Sequence, residues 1–279
     1  MITVPSYAKL NLTLEILGKY PDGYHQITSV MQTIELHDTL SFKLEEAIQL
    51  ECNVTSLVFP NNLVLKAAEL LKKTTGVNKG VHISLEKRIP MASGLGGGSS
   101  NAAITMQALN KLWGLQLPPN YIKQLAPKLG SDVAFFLEGG TALVSGRGEE
   151  VVPLPPFPQS WIVILKPQIS IPNKTATMYG NLKPSHFTNG RHTKEMVASI
   201  KGSSNNLARI CYNAFEQVAF KQFDELEKCK QHFLNAGASK VHLAGAGPVI
   251  FAIMKDRAQA EQVYYELSAT QEVYLTHTL

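Results

Sequence analysis

The stretch Gly94-Leu95-Gly96-Gly97-Gly98-Ser99-Ser100 constrains this chain more tightly than any other. Before it, Val81, Ile83 and Leu85 alternate with His82, Ser84 and Glu86, the period of a strand. After it, Ala102, Met106, Leu109 and Trp113 recur at helical spacing, and Gly114 stops the run. A strand, a glycine turn and a helix start, in that order, turn backbone N–H groups inward and add a partial positive charge. That is the chemistry of an anion site. The helix dipole contributes only about 0.3–2 kcal/mol, so charge-assisted backbone hydrogen bonds supply most of the grip. Ser99 and Ser100 can cap the helix, bind phosphate or touch a metal. The blander reading is a glycine turn that merely packs helix on strand. Four glycines in the first five positions weigh against it.

Two familiar phosphate patterns fail on this stretch. The Walker pattern needs Lys and then Ser or Thr after its last glycine, but Gly98 is followed by Ser99 and Ser100. The dinucleotide pattern starting at Gly94 needs Gly or Ala at position 99, and no acidic residue closes a second strand about 20 positions on.

The flanking chain reads as alternating strands and helices. Leu10, Leu12, Leu14 and Ile16 alternate with Asn11, Thr13 and Glu15, predicting a half-buried strand whose polar face carries Lys9, Asn11 and Thr13. Pro21-Asp22-Gly23 is a turn, and Thr28 to Leu44 is extended. Asn61-Asn62 precedes an apolar pattern at Leu63, Ala67, Leu70 and Leu71, so an asparagine-capped helix starts there and stops before Gly76. Another helix follows Pro118-Pro119 and ends at Gly130, and Gly130-Ser131-Asp132 forms a tight turn. A strand lies between Gly139 and Gly148. The prolines of Val151 to Pro158 mark the best domain boundary, dividing the chain into 1–152 and 153–279. Beyond it come a strand at Trp161–Leu165 and helices at Asn206–Phe220 and Asp224–Asn235. Strands at Lys240–Leu243 and Val249–Met254, a helix at Arg257–Leu267 and a strand at Glu272–Thr276 complete a βα-ββαβ, ferredoxin-like half. His186 to Ser204 is polar and reads as a surface loop.

Composition narrows the function classes. A 44% hydrophobic, 17% charged chain of 279 residues builds a sizeable core, and a formal charge of +4 without a basic run argues against nucleic acid. Cys52, Cys211 and Cys229 are far apart, with neither a CxxC pair nor a disulfide framework. No apolar run is long enough for a membrane span, and the N-terminus lacks signal-peptide character. These features favour a cytoplasmic protein with small anionic ligands.

The residues Pro90-Met91-Ala92-Ser93-Gly94-Leu95-Gly96-Gly97-Gly98-Ser99-Ser100-Asn101-Ala102-Ala103 resemble the phosphate-binding motif of the GHMP kinases. Three consecutive glycines and two serines are most similar to the branch acting on a cytidyl diphosphate ester of methylerythritol. Four more segments agree, in the family's order: Ala8 to Leu12, Asp22 to His25 with Met31-Gln32-Thr33, Gly130 to Phe136, and Leu243 to Pro248. The chain departs mildly at Ala92 and Ser93, where glycine or alanine is common, and Asn173 to Tyr179 is longer than usual.

The resemblance implies an α+β, two-domain GHMP kinase fold, with an N-terminal ribosomal-protein-S5-like domain and a C-terminal ferredoxin-like domain. It implies transfer of the ATP γ-phosphoryl group, with Mg²⁺, to the 2-hydroxyl of the substrate, a step of isoprenoid precursor synthesis. Pro90 through Ser100 would hold ATP, Asp132 would take the alcohol proton, and Lys9 would orient or neutralise. Tyr24 would stack on cytosine, His25 would hydrogen-bond its edge, and Asn11 would meet the substrate near the accepting hydroxyl. Tyr179 is a second stacking partner or a core residue. The metal ligands are unassigned. The expected partners are ATP and the cytidyl ester, with no nucleic acid or membrane, in a monomer or weak homodimer.

The residues alone read differently: a lysine on a polar strand face is usually solvated, and an aspartate after Gly-Ser is usually a turn former or helix cap. Two other functions compete. Another GHMP kinase, of homoserine or mevalonate type, would give Tyr24-His25 no nucleobase to read. A non-catalytic nucleotide-binding module would need neither Lys9 nor Asp132.

Overall fold

The computed structural model describes residues 1–202 and 207–279. The chain forms two compact units that interleave in sequence. The first comprises Met1–Ala8, Leu36–Pro90 and Gly96–Gly139, and the second Lys9–Glu35, Met91–Leu95 and Gly140–Leu279. Two long strands, β1 (Ile2–Lys19) and β2 (His25–Glu45), therefore contribute residues to both.

In the first unit, β3 (Ile48–Cys52) runs parallel to β4 (Gly80–Glu86), which pairs antiparallel with β2 from Thr39 opposite Glu86 to Glu45 opposite Gly80. Between β3 and β4 lies α1 (Leu63–Thr75), bounded as its caps predict. The Asn62 side chain accepts the Val64 N–H at 2.9 Å, and Gly76 takes the left-handed conformation. It buries Val64, Ala67, Ala68 and Leu71 and packs on α2 (Gly97–Leu112).

The helix expected to run to Gly130 is shorter. It spans α3 (Pro119–Leu125), and a single 3-10 turn follows at Ala126–Lys128. Pro127 has no N–H, and its ring would collide with the Lys123 carbonyl if the α-helix continued. After the Gly130 turn comes a helix that the sequence reading lacked, α4 (Val133–Glu138), which buries Val133 to Phe136. The five-residue apolar run Val133 to Leu137 is too short for periodicity to separate helix from strand.

The second unit contains β5 (Thr141–Gly146), paired antiparallel with β2 from Gln32 opposite Thr141 to Ile27 opposite Gly146, and β6 (Glu150–Pro153), antiparallel to β5. The proline-rich stretch continues along this hairpin: the N–H groups of Leu154 and Phe157 bond the Thr141 carbonyl and hydroxyl, both at 2.9 Å. Next are β7 (Trp161–Lys166), α5 (Lys174–Gly180) and α6 (Arg191–Lys201).

The α6 helix replaces most of the loop expected over His186 to Ser204; Ser203 and Ser204 lie outside the described residues. Its sequence is weakly patterned because its anchors are tertiary. Glu15 Oε2 accepts the Thr193 N–H at 2.7 Å, and the Thr193 and Thr13 hydroxyls are 2.9 Å apart. The same contacts correct the reading of β1. Its polar face is covered, and Lys9, Asn11, Thr13 and Glu15 are all buried.

The helix expected over Asn206–Phe220 is also divided. Asn206 lies outside the described residues, and Leu207–Ile210 is a 3-10 turn. Then β8 (Tyr212–Asn213) lies parallel to β1, and α7 (Glu216–Gln222) completes the stretch. Asn213 breaks the run, because its Oδ1 accepts the Phe215 N–H at 3.0 Å while its amide bonds carbonyls of a distant loop.

Then follow α8 (Asp224–Asn235), β9 (His242–Leu243), β10 (Ile250–Ile253), α9 (Arg257–Ser268) and β11 (Glu272–His277). The four strands lie in the antiparallel order β11-β7-β10-β9, the ferredoxin-like arrangement of a βα-ββαβ chain. Val163, Leu165, Ile250 and Ala252 of this sheet pack with Phe215, Leu226, Phe233 and Val263 into one core.

Candidate active site

The glycine loop is built from backbone in unusual conformations. Ala92, Gly94 and Gly96 all have positive φ, at 50°, 89° and 75°. The value at Ala92 explains why glycine is common there. At Gly94 a side chain would run into the Ala244 carbonyl and approach the Gly247 N–H nitrogen at 3.3 Å. The turn Met91–Leu95 is thus pressed against the loop Ala244–Gly247 of the same unit. Ser93 is buried and its hydroxyl accepts the Leu95 N–H at 3.2 Å, while the Leu95 carbonyl accepts the Lys9 N–H at 2.9 Å.

Within the first unit, α2 opens at Gly97 after Gly96, with no side-chain cap on its first turn. Intrahelical bonding begins with the Ser100 N–H, which reaches the Gly96 carbonyl at 2.9 Å, so the earlier N–H groups point out of the helix end. A side chain at Gly97 would meet Ile89 Cγ2 at 3.0 Å and Lys87 Nζ at 3.1 Å. An uncapped helix end that opens on two glycines, the first crowded by Ile89 and Lys87, fits a phosphate group. The two serines now differ. Ser100 is 1% exposed and accepts the Ser6 hydroxyl proton at 2.7 Å. Ser99 is half-buried beside Gly130, where a side chain would come within 3.8 Å of its hydroxyl.

Asp132 stands at the start of α4, but its side chain does not cap that helix. Gly130, two residues before it, lies beside Ser99 within the first unit. Lys9 belongs to the second unit and is not a solvated strand lysine: it is 3% exposed, and its ammonium donates to Asn11 Oδ1 at 2.7 Å. The Asn11 amide in turn donates to the Ser29 hydroxyl at 2.8 Å, which fixes the Asn11 rotamer. A side chain at Gly245 would meet the Gly94 carbonyl at 3.1 Å, Lys9 Nζ at 3.4 Å and Asn11 Oδ1 at 3.5 Å. Two distant glycine motifs and the lysine strand therefore converge on one point in this unit.

A second group in the same unit gathers the aromatic residues. His25 stacks on Tyr179 at 4.6 Å between ring centroids, and Tyr179 meets Phe215 edge-on at 4.9 Å. Of the two readings of Tyr179, the core contact is present, and its ring also carries His25. Partial burial, then the charge of Lys19, lowers the His25 pKa, so its ring is neutral at pH 7 and offers one donor and one acceptor. Tyr24 is 61% exposed. The Arg147 guanidinium lies 4.6 Å from its ring centroid and pairs with Asp22, whose other oxygen accepts the Tyr24 N–H at 3.2 Å.

Three supporting residues escaped the sequence reading. The Asn213 amide holds the Leu243 and Gly245 carbonyls at 2.8 and 2.7 Å. Lys174 bonds the Ala92 carbonyl at 3.1 Å and also the Gly247 carbonyl. Asp38 lies buried beneath the glycine loop. Nothing in spacing marks them, because each acts on main-chain groups remote in sequence. Among the described residues no group of three or more His, Cys, Asp or Glu could hold a metal ion, and no helix is long and apolar enough to cross a membrane.

Known proteins share both sequence and fold with this chain. Residues 62–140 match the GHMP kinases N terminal domain and residues 196–272 the GHMP kinases C terminal region. A 4-diphosphocytidyl-2-C-methyl-D-erythritol kinase of Dehalococcoides mccartyi (strain CBDB1) is 43% identical, covering 100% of this chain and 99% of the relative. The kinase of the same name from Enterococcus faecalis is 37% identical over 98% of this chain and 97% of its own length. The crystal structure of a 4-(cytidine 5'-diphospho)-2C-methyl-D-erythritol kinase superposes with a TM-score of 0.86 at 28% identity, covering 99% of each chain. A homoserine kinase from Cytophaga hutchinsonii, at 18% identity and TM-score 0.77 over 100% of this chain and 94% of its own, shares the fold.

Proposed function

The chain belongs to the GHMP kinases and phosphorylates 4-diphosphocytidyl-2-C-methyl-D-erythritol with ATP as donor, and we propose that Lys9 and Asp132 carry the transfer while Tyr24, His25 and Tyr179 hold the cytosine. The observation that carries this division of labour is the burial of Lys9 beside Asn11 and Gly245. A buried ammonium held in one geometry can offset the charge of a phosphoryl group in transfer.

Phosphoryl transfer asks for positioning and charge neutralisation more than covalent help. The N–H groups opening α2 grip the phosphates, and Pro90 to Ser100 form the cradle. A carboxylate cannot deprotonate an alcohol outright, but in a loose transition state Asp132 need only take the 2-hydroxyl proton late. Lys9, aimed by Asn11, offsets the charge on the transferred group, and Asn11 is close enough to meet the substrate beside it. Mg²⁺ accompanies ATP and neutralises charge on its phosphates. Ser99 is the serine available to that group, since Ser100 is turned to Ser6. Tyr24 offers an exposed face for stacking, and neutral His25 reads the base edge from its place on Tyr179.

The two family segments lie on either side of Val151 to Pro158, in keeping with parts 1–152 and 153–279. The reading also places the activity in the cytoplasm, where ATP is plentiful and thiols such as Cys52, Cys211 and Cys229 stay reduced. The test separates binding from chemistry. Asp132→Asn and Lys9→Met are each expected to bind an ATP analogue near the wild-type affinity while kcat falls about 10²–10⁴-fold. Full turnover by Asp132→Asn would remove it from the mechanism.

A further inference from the structure

The glycine loop holds three alternate residues, Ala92, Gly94 and Gly96, at positive φ, a shape strained at Ala92 that persists only where its ends are fixed. Both ends run to one buried carboxylate, and we propose that Asp38 is a positioning residue for ATP, gripping the chain before the loop and the helix after it.

Asp38 sits on β2 and is fully buried. Its Oδ1 accepts the N–H groups of Arg88 and Ile89, each at 2.8 Å. Those residues follow β4 and lead into the loop at Pro90. Its Oδ2 accepts the Asn101 amide at 2.9 Å and pairs with the Lys87 ammonium. Asn101 lies in the second turn of α2, and its amide also donates to the Ser6 hydroxyl at 2.9 Å, which donates to Ser100. One carboxylate thus collects four donors from the two arms of the loop, all within the first unit. An apolar core residue could fill this volume without the desolvation cost, but it could not grip main-chain N–H groups.

The lysine adds a reason for the glycine beside it. Lys87 Nζ lies 3.1 Å from where a side chain at Gly97 would begin, so the carboxylate holds the ammonium against the first residue of α2. A cation at a helix N-terminus opposes the helix dipole, and Asp38 compensates it there. Replacing Asp38 by Asn leaves an acceptor for Arg88 and Ile89. It also turns an amide donor toward Asn101 and Lys87, so the helix arm is released while the other is kept.

The inference rests on reading this loop as the ATP site. Steady-state kinetics of the wild type, Asp38→Asn and Asn101→Ala, varying each substrate in turn, separate the two ideas, with circular dichroism confirming that each variant is folded. Asp38→Asn is expected to raise the KM for ATP about 10–100-fold, and Asn101→Ala by a smaller factor in the same direction, with the KM for the cytidyl substrate unchanged. If Asp38→Asn does not fold, Asn101→Ala carries the test. A folded variant whose KM for ATP stays at the wild-type value, or rises in step with that of the cytidyl substrate, overturns the role of Asp38. A wild type that does not turn over ATP defeats the ATP reading instead.

Discussion

The groups proposed to hold phosphate and those proposed to hold the base are made of different materials. Gly94 to Ser100 works with main-chain groups, and its shape is fixed by buried partners: Ala244 against Gly94, Lys9 against Leu95, Ser6 against Ser100. Tyr24, His25 and Tyr179 work with rings on or near the surface, held by stacking and by the Arg147–Asp22 pair. Phosphate is alike in every nucleotide, so a rigid backbone cradle suffices. A cytosine must be distinguished by its face and edge, which only side chains can do. Damage to the first end should therefore be steep and carried by shape, and damage to the second shallow and carried by affinity.

The steepest break is predicted at Gly94. An alanine there meets the Ala244 carbonyl and inherits a φ of 89°, so kcat/KM for ATP should fall about 10²-fold or more. A near-normal value in a folded Gly94→Ala protein would show that the loop shape is not essential. Tyr24→Ala is the matching break at the other end. Lost stacking of about 1–3 kcal/mol should raise the KM for the cytidyl substrate by roughly 5–150-fold, with the KM for ATP unchanged. Titration by kinetics checks His25. Its pKa lies below the ordinary 6.5, so the ring stays neutral from pH 8 down to that value and takes up its proton only below it. The KM for the cytidyl substrate should be flat above pH 6.5 and rise below it, and His25→Ala should remove that rise. The smallest effect is expected at Ala92. Glycine tolerates its φ of 50° better, at some cost in chain entropy, so Ala92→Gly should move the melting temperature by only a few degrees.

The same contrast governs what was legible in the sequence. Local signals read well: Asn62 and Gly76 bound α1, and the strands expected at Trp161–Leu165 and Glu272–Thr276 are β7 and β11. Elements held from outside did not. The α6 helix depends on Glu15 and Thr13 from β1, and the break at Asn213 depends on carbonyls some 30 residues away. In the site, glycine spacing announced an anion cradle, because backbone geometry leaves its mark on residue type. Lys9 and Asp132 had bland local readings, and resemblance alone singled them out. Asp38, Asn213 and Lys174 were invisible because each holds main-chain groups, which every residue carries, at positions remote in sequence.

ADP release by the purified chain, with one candidate acceptor at a time, tests this assignment most directly. ATP should be consumed with 4-diphosphocytidyl-2-C-methyl-D-erythritol and remain untouched with homoserine or mevalonate. Turnover with either small alcohol, and none with the cytidyl compound, would contradict the account.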